Sequence, residues 1–242
     1  MKKAKIRLYV DAPLGDGQPV PVSRDQAHYL FGVMRLDVGA TVALFNGRDG
    51  EWQADVTVAN KRNGILTCTA QSKPLQLPPD LWLLFAPIKK ARTDFIVEKA
   101  TELGASRILP VSTDYTQSDR LRQDRLQAHA IEATEQCGGT FVPEVTELQK
   151  LDKQLASWPA ERQILFCDET RVGEPTTDLS KLPTSPWAIL IGPEGGFSPA
   201  ETETLRNHPQ SHPISLGPRI LRADTAAVAA LTLWQQALGD WV

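Results

Sequence analysis

Two turns rich in glycine and proline, near the end of the chain, carry the residues best suited to binding a ligand. They are Gly192-Pro193-Glu194-Gly195-Gly196 and Gly217-Pro218-Arg219-Ile220-Leu221-Arg222, and each follows a short apolar run. Glycine tolerates positive φ and lets backbone amides approach a ligand closely, while proline stiffens the loop. Ordinary α/β proteins also use such turns, but two in succession favour one ligand site built from two strand ends.

The chemistry of these turns indicates the kind of ligand. Neither turn has the spacing of the Walker motif or of the dinucleotide motif GxGxxG. Glu194 would repel a phosphate group placed against the first turn. A nucleoside that carries a positive charge is more compatible with an acidic loop.

The segments on either side of the first turn predict the elements that hold it. The apolar run 187–191 predicts a strand covered on both faces, in the interior of a sheet. After the turn, Ser198, Pro199 and Glu201 predict the start of a helix, as its N-cap, its first-turn proline and the acid of a capping box.

The second turn has the same setting. Residues 213–216 predict a strand before it. Asp224 or Thr225 is expected to cap the helix that follows, over 226–238 and ending at Gly239. The order strand, turn, helix therefore occurs twice.

The first 73 residues have a different pattern. Short strand-like segments alternate with tight-turn dipeptides, which predicts a small β-barrel. The strands are expected at 41–45, 52–58 and 65–69, with turns at Asn46-Gly47, Asp49-Gly50 and Asn63-Gly64. Between Ser23 and Leu36, apolar residues at helical spacing predict a short helix.

A linker separates this region from the rest. Lys73 to Asp80 contains three prolines and no periodicity, which predicts a boundary between a domain 1–73 and a domain 74–242. In the second domain strands and helices alternate, which predicts an α/β fold with a mainly parallel sheet. Its further strands are expected at 81–86, 108–111 and 163–167, and its further helices at 94–103 and 120–136.

Composition argues against several classes of protein. No apolar run approaches the ~20 residues that span a membrane, and the basic amino terminus lacks a signal-peptide core, so a cytoplasmic protein is expected. The three cysteines, Cys68, Cys137 and Cys167, have no metal-ligand spacing. We expect buried thiols, with neither a disulfide nor a bound metal.

Histidine spacing points to no metal site either. His208 and His212 have the four-residue spacing of a helical metal pair. Pro209 and Pro213 would break the helix that such a pair needs, so both histidines are expected in loops.

Charge is distributed unevenly along the chain. The net charge is −3, yet residues 1–73 carry ten Lys/Arg and seven Asp/Glu. The positive field therefore lies at the amino-terminal end, where a single basic run is usually a solvated face, and its value depends on the other features of the chain.

Several segments resemble, in order and spacing, those of the bacterial 16S ribosomal RNA uridine-N3 methyltransferases. They are KKARTDFIVEKATELGASRILPV, EATEQCGGTFVPEV, IGPEGGFSPAE and LGPRILRADTA in the second domain, and HYLFGVMRLDVGATVALFNGRDGEW in the first. The resemblance covers nearly the whole chain. Two positions depart from the family pattern: Gly139 stands where an arginine is common, and Asp224 where a glutamate is usual.

The resemblance implies a SPOUT methyltransferase, with a PUA-like domain followed by an α/β catalytic domain that contains a deep trefoil knot. It implies a homodimer that uses S-adenosylmethionine (SAM) to methylate N3 of a uridine in 16S (small-subunit) ribosomal RNA. By the same resemblance, SAM is expected to lie against Leu190, Gly192, Pro193, Glu194, Gly195, Leu216, Gly217, Ile220, Leu221, Arg222, Thr225 and Ala226.

This reaction gives three residues candidate roles. Uridine N3 carries a proton and must lose it before or during attack, which requires a general base or a cation that stabilises the developing anion. Arg222 is the candidate cation, because its planar donors suit the uracil oxygens or a phosphate, with a structural ion pair as the alternative. Glu194 and Asp224 are candidate bases, and each could instead cap a helix or bind the cofactor.

RNA binding requires its own residues. N3 lies on the Watson-Crick edge, so the target base must be presented outside a pair, and a separate RNA-gripping domain would serve that need. The predicted phosphate contacts are Lys2, Lys3, Arg7, Arg35 and Arg48 in the first domain, and Lys89 and Lys90 in the second.

Two other classes of function compete with this one. A noncatalytic RNA-binding factor of ribosome assembly would keep the fold, bind RNA with a steep salt dependence, and not need Arg222. A nucleotide-dependent oxidoreductase is less consistent with the sequence, because the dinucleotide glycine pattern and its ribose-binding acid are absent.

Overall fold

The computed structural model describes residues 4–118, 120–175 and 177–241. The chain forms two compact units. The first comprises Met1–Leu77 and Thr134–Val142, and the second comprises Pro78–Ala133 and Pro143–Val242. The short segment 134–142 therefore clusters with the amino-terminal unit although it lies far along the sequence.

The amino-terminal unit is built on a five-stranded sheet. Its strands are β1 (Arg7–Tyr9), β2 (Pro19–Val22), β3 (Thr41–Phe45), β4 (Glu51–Asn60) and β5 (Asn63–Lys73). The sheet order is β1-β3-β4-β5-β2, with β1 parallel to β3 and the other pairs antiparallel. Leu44, Val20 and Leu66 are fully buried in its core. The predicted β domain is thus present: β3 has the expected bounds, β4 and β5 are longer than expected, and β1 and β2 were not among the predicted strands.

The tight turn between β4 and β5 differs from the prediction. Asn63 and Gly64 lie inside β5, and the turn falls at Lys61 and Arg62. A Cβ at Gly64 would collide with the ring of Phe31. The glycine therefore makes room for a core aromatic ring instead of forming the turn.

The helix predicted between Ser23 and Leu36 is irregular. Ser23 caps α1 (Arg24–Ala27) through a capping box with Gln26, and a π-helix continues over His28–Val33. Arg35 follows with φ 54°, a left-handed conformation that is uncommon outside glycine. Short π-helical segments and unusual φ values recur at functional sites, so the exposed residues of this stretch, Tyr29, Val33 and Met34, form a candidate contact surface.

Arg7 lies within the amino-terminal unit and is bound by protein groups. Its Nε donates to Glu51 Oε2 at 2.6 Å, and its guanidinium lies 4.6 Å from the centre of the Phe45 ring. Its Nη atoms donate to the carbonyl oxygens of Thr134, Glu135 and Gly139, at 2.6, 2.8 and 2.5 Å. The donors of Arg7 therefore stabilise the fold of this unit, and its contact with phosphate stays a prediction.

Burial raises the pKa of Glu51, but hydrogen bonds from Arg7 and Ser72 and the charges of Arg7 and Lys73 outweigh burial, so the pKa lies below its ordinary value. The stabilisation from this carboxylate is therefore complete at neutral pH. It disappears as the pH falls below the ordinary value of about 4.3 and through the lowered pKa of the folded state.

Glu51→Gln is expected to lower the free energy of unfolding of the amino-terminal unit by about 3 kcal/mol at pH 7, because it leaves a largely buried guanidinium without its counter-charge. Urea unfolding combined with amide hydrogen exchange in β3 and β4 measures the effect. Glu144→Gln is the matched control, since Glu144 pairs with Arg107 on the surface, where a pair contributes about 0–1 kcal/mol. Equal losses in the two variants would contradict the structural role of Glu51.

The carboxyl-terminal unit is an α/β fold, as predicted. Its strands are β6 (Leu81–Phe85), β7 (Arg107–Ser112), β8 (Glu144–Val145), β9 (Gln149–Lys150), β10 (Gln163–Cys167), β11 (Trp187–Ile191) and β12 (Ser211–Ile214). Its helices are α2 (Lys90–Glu102), α3 (Gln123–Cys137), α4 (Leu151–Ala156), α5 (Pro199–Asn207) and α6 (Ala223–Leu238), with α3 ending in the segment that clusters with the first unit.

The sheet of this unit is parallel at every pairing. Its order is β12-β10-β11-β6-β7-β8, and β9 also pairs with β7. All five residues of β11 are buried, as expected for an interior strand. The strand predicted at 213–216 is β12, whose pairing with β10 stops at Ile214, so Leu216 belongs to the loop. Pro213 is tolerated because β12 is at the sheet edge.

Helix starts test the capping predictions directly. Ser198 and Glu201 form the predicted capping box of α5, with Pro199 as its first residue. The predicted caps of α6 are wrong: Arg222 is the N-cap residue, and no side chain caps that end. Asp224 lies inside the first turn, where a carboxylate is stabilised by the helix dipole without serving as the cap.

The histidine prediction holds only in part. His208 lies outside a helix, as predicted, as the C-cap residue that follows α5, whereas His212 lies in β12 and not in a loop. Among the described residues, no group of three or more His, Cys, Asp and Glu side chains converges on a metal-sized site. The described residues form no helix that is both long and apolar enough to span a membrane.

Candidate functional site

Three strand ends meet where the candidate site lies. β10 pairs with β11 on one side and with β12 on the other, and all three run in the same direction. Their carboxyl ends therefore deliver three loops to one edge of the sheet. Ligands of open α/β sheets bind at this edge.

The three loops enclose a cavity of about 200 Å³. Most of its wall is apolar, with carboxylates from the β10 loop and the first glycine turn, and arginines from the second turn. The lining comprises Cys167, Asp168, Glu169, Val172, Ile191, Gly192, Pro193, Glu194, Gly196, Ile214, Ser215, Leu216, Gly217, Arg219, Ile220, Leu221, Arg222, Ala223 and Ala226.

Close packing explains two glycines of the first turn. A Cβ at Gly192 would lie 2.7 Å from the ring of Phe197, which packs edge-on against Phe166 of β10. Gly196 has φ 68°, and a Cβ there would collide with the carboxylate of Glu169. The same carboxylate accepts a hydrogen bond from the Phe197 amide at 3.2 Å. The first turn is thus held by its neighbours in one conformation.

The second turn faces open space. Gly217 has φ 114°, and a Cβ there would meet no atom within 4 Å. Its amide donates to Ser215 Oγ at 3.2 Å, and its carbonyl accepts from the Gly173 amide at 3.1 Å. The backbone is therefore fixed on one side and open to the cavity on the other.

The third wall, at the end of β10, was missed by the sequence analysis. Asp168 is buried and accepts from Arg206 Nε at 2.9 Å and from Nη2 at 2.6 Å, while its other oxygen accepts from Thr170 Oγ1 at 2.7 Å. These bonds tie the β10 loop to α5. The available signal was the polar run Asp168-Glu169-Thr170 directly after a predicted strand.

A second, more open cavity of about 800 Å³ adjoins the first and lies in the same unit. It shares Glu194 and Arg222 with the first cavity. Cationic side chains dominate its described lining, which comprises Ile88, Lys89, Lys90, Arg92, Tyr115, Gln117, Ser118, Arg120, Glu194, Gly195 and Arg222. Its chemistry suits a polyanion.

The structure gathers most of the residues predicted to bind the cofactor. Gly192, Pro193, Glu194, Leu216, Gly217, Ile220, Leu221, Arg222 and Ala226 all line the first cavity. Leu190 is fully buried inside β11, Gly195 lines only the second cavity, and Thr225 lines neither. These three are therefore not brought to the first cavity wall.

The three candidate catalytic residues have different environments. Glu194 and Arg222 are exposed where the two cavities meet. Asp224 lines neither cavity. One of its oxygens accepts from the Thr225 amide at 2.8 Å, and the other lies 3.6 Å from Arg92 Nε. Its position suits a residue that orients Arg92.

The predicted phosphate contacts are also dispersed. Lys89 and Lys90 are exposed in the second cavity, where Lys89 is the N-cap residue of α2. Arg35 and Arg48 are exposed in the amino-terminal unit, with Arg48 donating to the Asp11 carbonyl at 2.7 Å. Lys2 and Lys3 lie outside the described residues.

The cysteines differ in accessibility, which gives a chemical test of the first cavity. Cys68 and Cys167 are buried, and burial raises the pKa of both thiols, whereas Cys137 is exposed, contrary to the prediction that all three are buried. Because the thiolate is the reactive form, iodoacetamide is expected to label Cys137 first in the native protein. Peptide mass spectrometry reads out the order, and a denatured sample should label at all three. If iodoacetamide labelled Cys167 as fast as Cys137, the reagent would have to reach Cys167 through the wall of the first cavity, which would contradict its burial there.

Comparison with known proteins gives the context of this geometry. Residues 75–235 match the family described as RNA methyltransferase domain, and residues 22–67 match the RNA methyltransferase PUA domain. The ribosomal RNA small subunit methyltransferase E of Rickettsia conorii is 32% identical over 93% of each chain, and that of Buchnera aphidicola (Schizaphis graminum) is 29% identical over 99% of each.

A solved structure agrees over the whole chain. The ribosomal RNA small subunit methyltransferase E of Neisseria gonorrhoeae, bound to S-adenosyl methionine, superimposes with a TM-score of 0.88 at 26% identity, covering 98% of this chain and 99% of that one. A PUA domain joined to an α/β domain with a cavity at its strand ends defines a class of RNA methyltransferases. The chain belongs to the ribosomal RNA small subunit methyltransferase E family. The resemblance drawn from its motifs is confirmed.

The first cavity fits the cofactor of such an enzyme. Apolar side chains such as Ile214, Leu216 and Leu221 suit an adenine ring and an alkyl chain, and Glu194 suits a cationic ligand. The space at Gly217, which a Cβ would fill, leaves backbone free to approach the ligand.

Proposed function

We propose that this protein transfers a methyl group from SAM to N3 of a uridine in small-subunit ribosomal RNA. The observation that carries the proposal is the junction of two cavities, one apolar and one cationic, at Glu194 and Arg222. SAM supplies an electrophilic methyl group on a positively charged sulfur. A transfer reaction needs such a junction, because donor and acceptor must meet in line.

The first cavity holds the cofactor in this proposal. Its residues are those of the two glycine turns, together with Cys167, Asp168 and Glu169 from the third wall. The turns are fixed before any ligand arrives, since Glu169 and Phe197 hold the first and Gly173 and Ser215 the second. Such preorganisation reduces the entropy lost on binding.

Arg222 and Glu194 act on the base. Arg222 stabilises the negative charge that develops on the uracil oxygens as N3 loses its proton. Glu194 is the better-placed candidate to accept that proton, because Asp224 lies outside both cavities and faces Arg92. Most of the catalysis comes from holding N3 of the base against the methyl carbon at this junction.

The remaining cations bind RNA. Lys89, Lys90, Arg92 and Arg120 give the second cavity its positive charge and contact phosphates next to the target nucleotide. The domain 1–73 binds other parts of the RNA, and Arg35 and Arg48 are its exposed cations for this contact. The domain 74–242 carries the chemistry.

Further properties of the family extend the proposal. The chain passes through a trefoil knot in the catalytic domain, works as a homodimer, and acts in the cytoplasm where its substrate is assembled. A dimer would cover apolar side chains that are exposed in this unit, such as Ile220, Leu233 and Trp241, which are 75%, 40% and 51% exposed.

Two measurements test the function. Calorimetry with SAM should show binding, and small subunits from cells that lack this protein should gain a methyl group that mass mapping places on uridine N3. RNA binding with a steep salt dependence and no methyl transfer would favour the noncatalytic assembly factor instead. Absence of both SAM binding and methyl transfer would overturn the proposal.

A further inference from the structure

An aromatic ring is exposed in the wall of the second cavity. Tyr115 is 46% exposed, and its side chain lines the cavity beside Gly195 and Arg120. No hydrogen bond in the described residues uses its hydroxyl group. An apolar ring that is exposed among cationic side chains is available to bind a ligand and contributes little to the packing of the core.

The turn that carries Tyr115 is rigid. The Thr116 amide donates to the Thr113 carbonyl at 3.1 Å, and the Thr113 amide donates to Thr116 Oγ1 at 2.8 Å. Between them, Asp114 accepts from Ser198 Oγ at 2.6 Å and donates its amide to Glu201 Oε1 at 2.9 Å. The capping box of α5 therefore also anchors this turn.

The first glycine turn fixes the other side of the ring. A Cβ at Gly195 would lie 3.4 Å from Tyr115 Cβ, so the backbone of the turn packs against the Cβ end of the tyrosine side chain. The neighbouring residue, Glu194, is one of the two that line both cavities. Tyr115 is thus set beside the junction at which the methyl group is transferred.

The surroundings of the ring match a nucleotide. Lys89 and Lys90 lie at the amino-terminal end of α2, where the helix dipole and exposed amides attract phosphate. Proteins hold unpaired RNA bases by stacking them on aromatic side chains while cations contact the backbone. One cavity here offers both groups.

We infer that Tyr115 is the platform on which the target uracil stacks, with its phosphates towards Lys89 and Lys90 and its Watson-Crick edge towards Glu194 and Arg222. This inference rests on the proposed function and names a substrate-positioning residue of the same site. The ring acts on the base alone, so it leaves cofactor binding unchanged.

Two substitutions of Tyr115 separate stacking from packing. Tyr115→Phe keeps the ring and removes only the hydroxyl group, whereas Tyr115→Leu keeps an apolar side chain against Gly195 and removes the ring. The expected result is a normal kcat/KM for small subunits in Tyr115→Phe, and a fall of about 10- to 100-fold in Tyr115→Leu, the range for losing one base–aromatic stack. SAM affinity should be that of the wild type in both. Phe95→Leu, at another exposed aromatic that lines neither cavity, should also match the wild type.

Each other outcome overturns the inference in a distinct way. A normal kcat/KM in Tyr115→Leu would show that no stack is made there. A fall in Tyr115→Phe equal to that in Tyr115→Leu would assign the effect to the hydroxyl group. Weaker SAM binding in Tyr115→Leu would make the tyrosine a support for the glycine turn. A wild-type protein that neither binds SAM nor methylates subunits would overturn the proposed function as well, before any variant is measured.

Discussion

Arg222→Ala is expected to lower kcat for methyl transfer about 100- to 1,000-fold, the effect of removing one donor aimed at developing negative charge. Arg222 is the N-cap residue of α6, which fixes its backbone at the junction of the two cavities. Its guanidinium forms no ion pair or hydrogen bond with other parts of the described chain, so its donors are available to substrate. Single-turnover kinetics with a preformed enzyme–SAM complex measure the chemical step directly.

Two further variants make this prediction specific. Arg222→Lys keeps the charge but not the planar set of donors, so its rate should lie between those of the wild type and Arg222→Ala. Lys181→Ala removes an exposed positive charge outside the lining of both cavities and should leave the rate unchanged. A wild-type rate in Arg222→Ala would exclude Arg222 as the stabilising cation. Arg222 would then no longer distinguish the methyltransferase from the noncatalytic assembly factor, because neither would need it.

The environment of Asp224 supports the choice of Arg222 and Glu194 as the pair that acts on the base. Asp224 pairs with Arg92, and Arg92 lines the cationic cavity while Asp224 does not, which favours a role for the acid in orienting Arg92. At 3.6 Å from Arg92 Nε, the carboxylate of Asp224 keeps the two charges paired.

Local patterns were sufficient to predict the parts of the site that depend on neighbouring residues. The apolar run of β11, the capping box of Ser198 and Glu201, and the two glycine turns all involve short-range spacing. The order of the strands does not. β10 lies between β11 and β12 in the sheet although it precedes both in sequence, so its loop supplies a third wall that no local pattern indicates.

Tertiary contacts also determine which cations have donors left for a ligand. Arg7 belongs to a basic run and is indistinguishable by sequence from an RNA contact. In the fold, its donors meet Glu51 and three carbonyl groups of the segment 134–142. One of those carbonyls belongs to Gly139. The contact that Gly139 makes with Arg7 is therefore a backbone contact, which the pattern of side chains in the sequence does not reveal.

Gly217→Val is expected to weaken SAM binding more than about 100-fold, which corresponds to roughly 2.7 kcal/mol. Gly217 lines the first cavity, and the position of its absent side chain is open space, so a valine would occupy the volume reserved for the cofactor. Its φ of 114° adds backbone strain of about 1–3 kcal/mol in any non-glycine residue. Calorimetric titration with SAM measures the loss of affinity, and thermal unfolding measures the strain.

Gly39→Val separates these two effects. Gly39 has φ 88°, a Cβ there would also meet no atom within 4 Å, and the residue lines neither cavity. Both variants should therefore lose a similar amount of stability, because both force a branched side chain into the left-handed region. Only Gly217→Val should lose affinity for SAM. If Gly217→Val bound SAM with wild-type affinity, the second turn would not form the cofactor site, and the first cavity would have to bind a ligand that does not approach Gly217.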